Sequence, residues 1–199
     1  MKRIFTPLLA SSLLFIACNN NKSKDSVTIT SEDGKEQITV DAGKAQNAAM
    51  DMQKVKEELG KLTPLTAEEL KALVPEQLMG ATRSDVDVNA AMGASVASAD
   101  YQVNDSTDIH LNIIDCAGPG GAGIYGMQYL GLFNIQQEDE DEYTKTIDFN
   151  GGKAFENCQK TRNDCALTYF GGSRFLITLE GNNVGIEALK DAAKSLKIK

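Results

Sequence analysis

The chain has 199 residues, 28 of them acidic and 20 basic, a net charge of −8, one His, no Trp and four Cys. That length holds one domain, or one domain and a stalk, and 42% apolar residues are enough for a core. The acidic balance argues against nucleic-acid binding and against loose attraction to an anionic bilayer. The single His excludes multi-His metal sites.

Lys2 and Arg3 precede an apolar run over residues 8–16 that closes on Ala17. A bilayer-spanning helix needs about 20 apolar residues, so this run is too short to span and has the order of a secretory signal peptide. Phe15-Ile16-Ala17-Cys18 resembles the lipobox of bacterial lipoproteins, with Phe where that motif prefers Leu. The resemblance implies removal of residues 1–17 and lipidation of Cys18, which then holds the protein on a membrane of the bacterial cell envelope. Asn19 at the next position implies the outer membrane. Several acyl chains, at about 0.8 kcal/mol per buried methylene, anchor stably where one does not. Cleavage removes Lys2 and Arg3 and leaves a mature charge of −10.

Residues 18–26 read as a flexible tether. Two short alternating runs, 27–30 and 37–40, flank a turn with Asp33-Gly34 at its centre and predict a β-hairpin. Ala45, Ala48, Met52, Val55 and Leu59 recur at helical spacing before Gly60. Thr66-Ala67-Glu68-Glu69 is a capping box opening a second helix with Leu70, Leu73 and Val74 on its apolar side. Residues 27–74 therefore read as a short hairpin and helical stalk, whose first helix is expected to pack on the domain in preference to acting as a spacer or a short coiled coil.

From residue 75 the chain is rich in strands. Seven are expected, over 83–89, 95–103, 108–115, 143–149, 153–159, 164–170 and 174–180. A Gly-rich loop at 118–123 leads to a short helix with Met127, and residues 136–142 read as an acidic loop. Asn183 stands where it can cap a last helix carrying Ile186, Leu189, Ala193 and Leu196. Strands joined by short turns pair antiparallel, so residues 75–199 are expected to form an α+β domain: an antiparallel sheet of about six or seven strands with helices packed on it. The last strand, residues 174–179, and the helix closing on Ala193-Lys194-Ser195-Leu196 resemble the end of the PsbP/Mog1-like α/β/α sandwich. That resemblance implies an accessory or binding role.

Cys158 and Cys165 flank Lys160-Thr161-Arg162-Asn163. If that tetrapeptide is the hairpin loop, the two Cys face each other at a non-hydrogen-bonded position, where strands approach closest and a disulfide fits. Buried thiols and a redox pair are the alternatives. Cys116 is left over at the end of a strand. Its even offset from His110 puts both on one face but about 20 Å apart, too far for a nucleophile and its base. His110 itself is out of phase with Ile109, Leu111 and Ile113 and reads as a surface imidazole.

Asp85, Asp87 and Asn89 are spaced like the start of a calcium loop, but Ala90 stands where Gly is required, so they read as the wet face of a strand. Gly118-Pro119-Gly120-Gly121-Ala122-Gly123 fits the G-x-G-x-x-G pattern of dinucleotide sites. No βαβ unit surrounds it, and Pro119 removes a donor N–H. No cofactor and no metal are therefore expected. Gly118, Gly120, Gly121, Gly123 and Tyr125 form instead a candidate partner-contact loop. The expected function is a lipid-anchored, non-enzymatic envelope protein that binds a protein or small-ligand partner. An envelope hydrolase or transferase using this loop and nearby acids, and a carrier of a small apolar ligand, are the alternatives.

Overall fold

The computed structural model describes residues 26–30, 37–130 and 135–198, with side-chain burial from residue 50 onward except at 91 and 128–130. The lipobox and Cys18 lie outside the described residues. Two compact units meet between residues 48 and 49. In the first, β1 (Ser26–Thr30) and β2 (Gln37–Asp41) pair antiparallel, Val27 opposite Val40 and Ile29 opposite Ile38. This is the predicted hairpin, its turn falling outside the described residues. Helix α1 (Ala42–Lys61) follows, with Gly60 inside it rather than closing it.

The second unit begins at residue 49 and so takes in residues that the sequence pattern assigned to the stalk. Its sheet has eight strands, all paired antiparallel: β5 (Asp87–Ala91), β6 (Ala94–Asn104), β7 (Thr107–Asp115), β8 (Gln136–Glu138), β9 (Glu142–Phe149), β10 (Gly152–Gln159), β11 (Asp164–Gly171) and β12 (Phe175–Asn182). Their spatial order is β5-β6-β7-β12-β11-β10-β9-β8. After β7, helix α3 (Gly118–Leu130) precedes β8 at the far edge, and the chain then meanders back until β12 pairs with β7. A separate two-stranded ribbon joins β3 (Gln77–Leu78) to β4 (Ala81–Thr82).

Eight strands replace the expected six or seven because the acidic stretch is not all loop. Residues 136–138 pair with 143–145, and the Thr146 amide donates to the Ile135 carbonyl at 2.9 Å. A second correction concerns α3, which begins at Gly118, so the glycine pattern forms its first turns instead of a loop before it. The last helix, α4 (Ile186–Ser195), is capped by Gly185 and not by Asn183, which sits in the preceding turn at φ 55°.

Period-two alternation gives the sheet two unlike faces. One face carries Ala97, Ala99, Tyr101, Ile109, Leu111, Ile113, Leu167, Tyr169, Ile177 and Leu179, all buried. Covering it are α2 (Ala67–Lys71), through Leu70, and α4, through Leu189, Ala192 and Ala193. The capping box at Thr66 forms as predicted, with the Glu69 amide donating to Thr66 Oγ1 and the Thr66 amide to Glu69 Oε2. Among the described residues of this unit, the opposite face is covered at one end only. There Ile114, Leu176 and Phe170 meet Met52, Val55 and Leu59 of α1 and Ala122, Ile124 and Tyr125 of α3.

Among the described residues, two carboxylates are fully buried. On the first face, Glu156 lies 2.7 Å from Lys145 of β9 and 3.0 Å from Lys190 of α4. Asp115, at the end of β7, accepts from Arg174 Nε at 2.8 Å and Nη2 at 2.9 Å, and from the Leu65 and Ala117 amides at 2.7 and 3.1 Å. Burial opposes ionisation of Asp115, but the guanidinium and the two amides outweigh it and hold the carboxyl below its ordinary range. Replacing Arg174 with Met leaves a buried charge uncompensated and is expected to cost about 3–5 kcal/mol in urea unfolding at pH 7. A depressed carboxyl pKa contributes stability above about pH 4 and loses it as pH falls further, so wild type and variant should converge in acid.

Candidate contact surfaces

The part of the second face that no described residue covers is a mostly polar field of side chains in register, interrupted by Phe155 and Ala166. Ser98, Asn112, Thr178, Thr168, Phe155 and Thr146 stand side by side across six strands. The next row is Asp100, His110, Glu180, Ala166, Asn157 and Thr144. All twelve are half-buried or exposed. Thr168 and Thr178 hydroxyls lie 3.0 Å apart, and Asn157 Nδ2 donates to Thr144 Oγ1 at 2.6 Å. His110 Nδ1 meets Asp100 Oδ1 at 2.7 Å, which orients the partly exposed ring. His110 is thus a surface imidazole, as its phase indicated, with an acid partner that the sequence did not reveal.

The glycine segment is used differently from the sequence expectation. A Cβ on Gly120 would come within 2.3 Å of the Gly93 carbonyl oxygen, and one on Gly121 within 2.5 Å of the Cys116 backbone. These two glycines allow α3 to seat on the β5–β6 turn and on the end of β7. Gly118 takes φ 76° beside Pro64, and only Gly123 has open space around it. Tyr125 is 4% exposed, its ring 4.6 Å from that of Phe170, so it belongs to the core and not to a contact loop. What faces outward around α3 is Pro119, Gly123 and Met127, and, from the adjoining turn, Met92. No sequence pattern had singled out Met92.

Cys116 is free and fully buried, and burial pushes its thiol up to about 12, far from a thiolate at neutral pH. Asp85, Asp87 and Asn89 are exposed as expected, but the strand predicted over 83–89 is β5 at 87–91, and residues 84–86 precede it outside the sheet. Together with Glu76, Thr82, Arg83 and Ser84, Asp85 lines a shallow polar groove. Of the acidic stretch, Glu138 pairs with Lys160 at 2.8 Å, and Asp139 accepts from the amides of Asp141 and Glu142. Among the described residues no group of three or more His, Cys, Asp or Glu is placed to hold a metal. No helix among them is long and apolar enough to cross a membrane. In comparisons with known proteins, no protein family, curated protein or solved structure matches the chain.

Cys158 and Cys165 are directly opposed in the β10–β11 hairpin and joined, with Cα atoms 4.1 Å apart. The four-residue loop and the close, non-hydrogen-bonded position are those that the spacing predicted. Reduction should lower stability by about 2–3 kcal/mol, the range for so short a closed loop. Peptide mapping should link Cys158 to Cys165, while Cys116 should resist maleimide until the protein is unfolded.

Proposed function

We propose that the protein is a lipid-anchored component of the bacterial cell envelope with a non-enzymatic binding role, and that the open polar face of its sheet is the binding surface. The lipobox-like ending at Cys18, behind Lys2, Arg3 and the short apolar run, supports the anchor, and Asn19 supports the outer-membrane location. The observation that carries the binding role is the half-covered sheet. Ten of the twelve positions in the two registered rows carry hydroxyl, amide, carboxylate or imidazole groups, Phe155 and Ala166 being the exceptions, and the rows are backed by the main core. A flat array of this kind suits a polar macromolecular partner better than a small apolar ligand.

Catalysis finds less support in the same residues. The thiol of Cys116 is enclosed and protonated, the imidazole of His110 is paired with Asp100 on an open surface, and Gly120 and Gly121 are pressed against backbone. The partner meets a surface weighted towards acid, with Asp100 and Glu180 flanking the one imidazole. Globomycin treatment of producing cells, or the substitution Cys18→Ser, is expected to leave an unprocessed precursor that lacks diacylglycerol by mass spectrometry. Normal processing under either condition would overturn the anchor.

A further inference from the structure

Five large apolar side chains are exposed among the described residues, and three of them, Leu62 at 41%, Met92 at 74% and Met127 at 60%, border α3. Pro64 and Pro119, also exposed, link them. Gly118 lies against the Pro64 ring and near the Leu62 carbonyl, Gly120 lies on Gly93, and Pro119 stands between these two contacts. Along α3, Gly120, Gly123 and Met127 fall on one face at four- and seven-residue spacing. Residues 116–137 contain no Asp, Glu, Lys, Arg or His, in a chain whose residues are 24% charged.

Met92 is exposed at a cost. It occupies the first position of the two-residue turn between Ala91 and Ala94, at φ 52° with Gly93 at φ 80°, where Asn or Gly is strongly favoured. Asn fills the same position in the Asn150-Gly151 turn of this sheet. Met79 repeats the arrangement in the Met79-Gly80 turn of the β3–β4 ribbon at 42% exposure, so what sets Met92 apart is its 74% exposure beside the other apolar residues that border α3.

We propose that this tip, formed by Leu62, Pro64, Met92, Pro119 and Met127, docks on the lipid bilayer to which Cys18 is anchored. The inference rests on the anchored reading above. Seven residues separate Cys18 from Ser26, a reach of about 25 Å when extended. An anchored chain meets its own bilayer at high effective concentration, and a weak apolar contact is then sufficient. Charge selects the face: most of an acidic chain is repelled by anionic headgroups, whereas this tip is neutral. Beside it run Lys61, at the end of α1, and Lys56, whose side chain lies along Gly126, both placed to reach lipid phosphates. Contact at the tip leaves the polar rows open, because Ser98 and Asp100 lie farther along β6 from the Met92 turn.

The absence of Trp makes the test direct. The full chain carrying Met127→Trp is purified from membranes and reconstituted into zwitterionic phospholipid vesicles, with Asp105→Trp, in the turn at the other end of β6, as the second reporter. Trp at 127 should emit to the blue and be quenched by brominated acyl chains, and Trp at 105 should do neither. Adding Met92→Asn should reduce the quenching at 127 while leaving thermal stability unchanged or raised, since Asn suits that turn. Docking is overturned if both reporters stay water-exposed. It is equally overturned if Trp at 127 is shielded in proportion to protein density and escapes bromolipid, the behaviour of a contact between two copies. The mass of the N-terminal peptide reports the anchor separately. An unprocessed chain held by its apolar leader would refute lipidation of Cys18 and leave the quenching result to decide docking.

Discussion

Arg174 closes the β11–β12 turn with its guanidinium on Asp115, and four parts of the second unit converge on that pair. Asp115 ends β7 and also accepts from the amides of Leu65 and Ala117. Arg174 reaches the Thr63 carbonyl with Nη2, and its own carbonyl accepts from the Cys116 amide. The connector after α1, the last turn of the sheet, the end of β7 and the entry to α3 are thereby fixed to one another. A buried carboxylate without this fork would be strongly unfavourable, so the connector and the helix entry are held where they supply its donors. The glycines of α3 complete the arrangement, since Gly120 and Gly121 admit the helix to a distance that any side chain would forbid.

A second consequence is the division of the sheet. The face under α2 and α4 is buried across β6, β7, β12 and β11, and its one charged side chain fully buried there, Glu156, is compensated by Lys145 and Lys190. Among the described residues the other face is covered only where α1 and α3 lie over Leu176, Ile114 and Phe170. Beyond that boundary the outward positions change from apolar to Ser, Thr, Asn, Asp, Glu and His. Along β7 the outward residues pass from Ile114 through Asn112 to His110, and along β12 from Leu176 through Thr178 to Glu180. The helices therefore end where the apolar positions end, and the surface that remains is polar by composition and rigid through the core behind it.

Much of this was legible in the sequence because strand periodicity is a strong local signal. The alternation in β6, β7 and β12, the capping box at Thr66 and the four-residue loop between Cys158 and Cys165 all depend on neighbours along the chain. What escaped depends on distant partners. Three-residue β8 is too short to show alternation and exists only by pairing with β9. Asp100 meets His110 because a bulge between Gln102 and Asn104 shifts the register that an unbroken hairpin would have had. The glycines of α3 have the spacing of a phosphate loop, and only the approach of the β5–β6 turn reveals that they serve packing. Tyr125 has the composition of a contact residue but the position of a core one. The Asp115–Arg174 pair joins residues 59 positions apart, beyond the reach of any local pattern.

The central claim is that this one ion pair seats α3 and the connector on a sheet whose main core stands without it. Native-state hydrogen exchange on wild type and Arg174→Met, compared at residues 117–126 and across the β10–β11 hairpin, tests it most directly. The account predicts that in the variant the amides of α3 and around Leu65 exchange close to the rate of an open chain through local opening, while the hairpin amides stay protected, lowered only by the loss of global stability. Protection retained in α3, or lost in the hairpin together with α3, would contradict it.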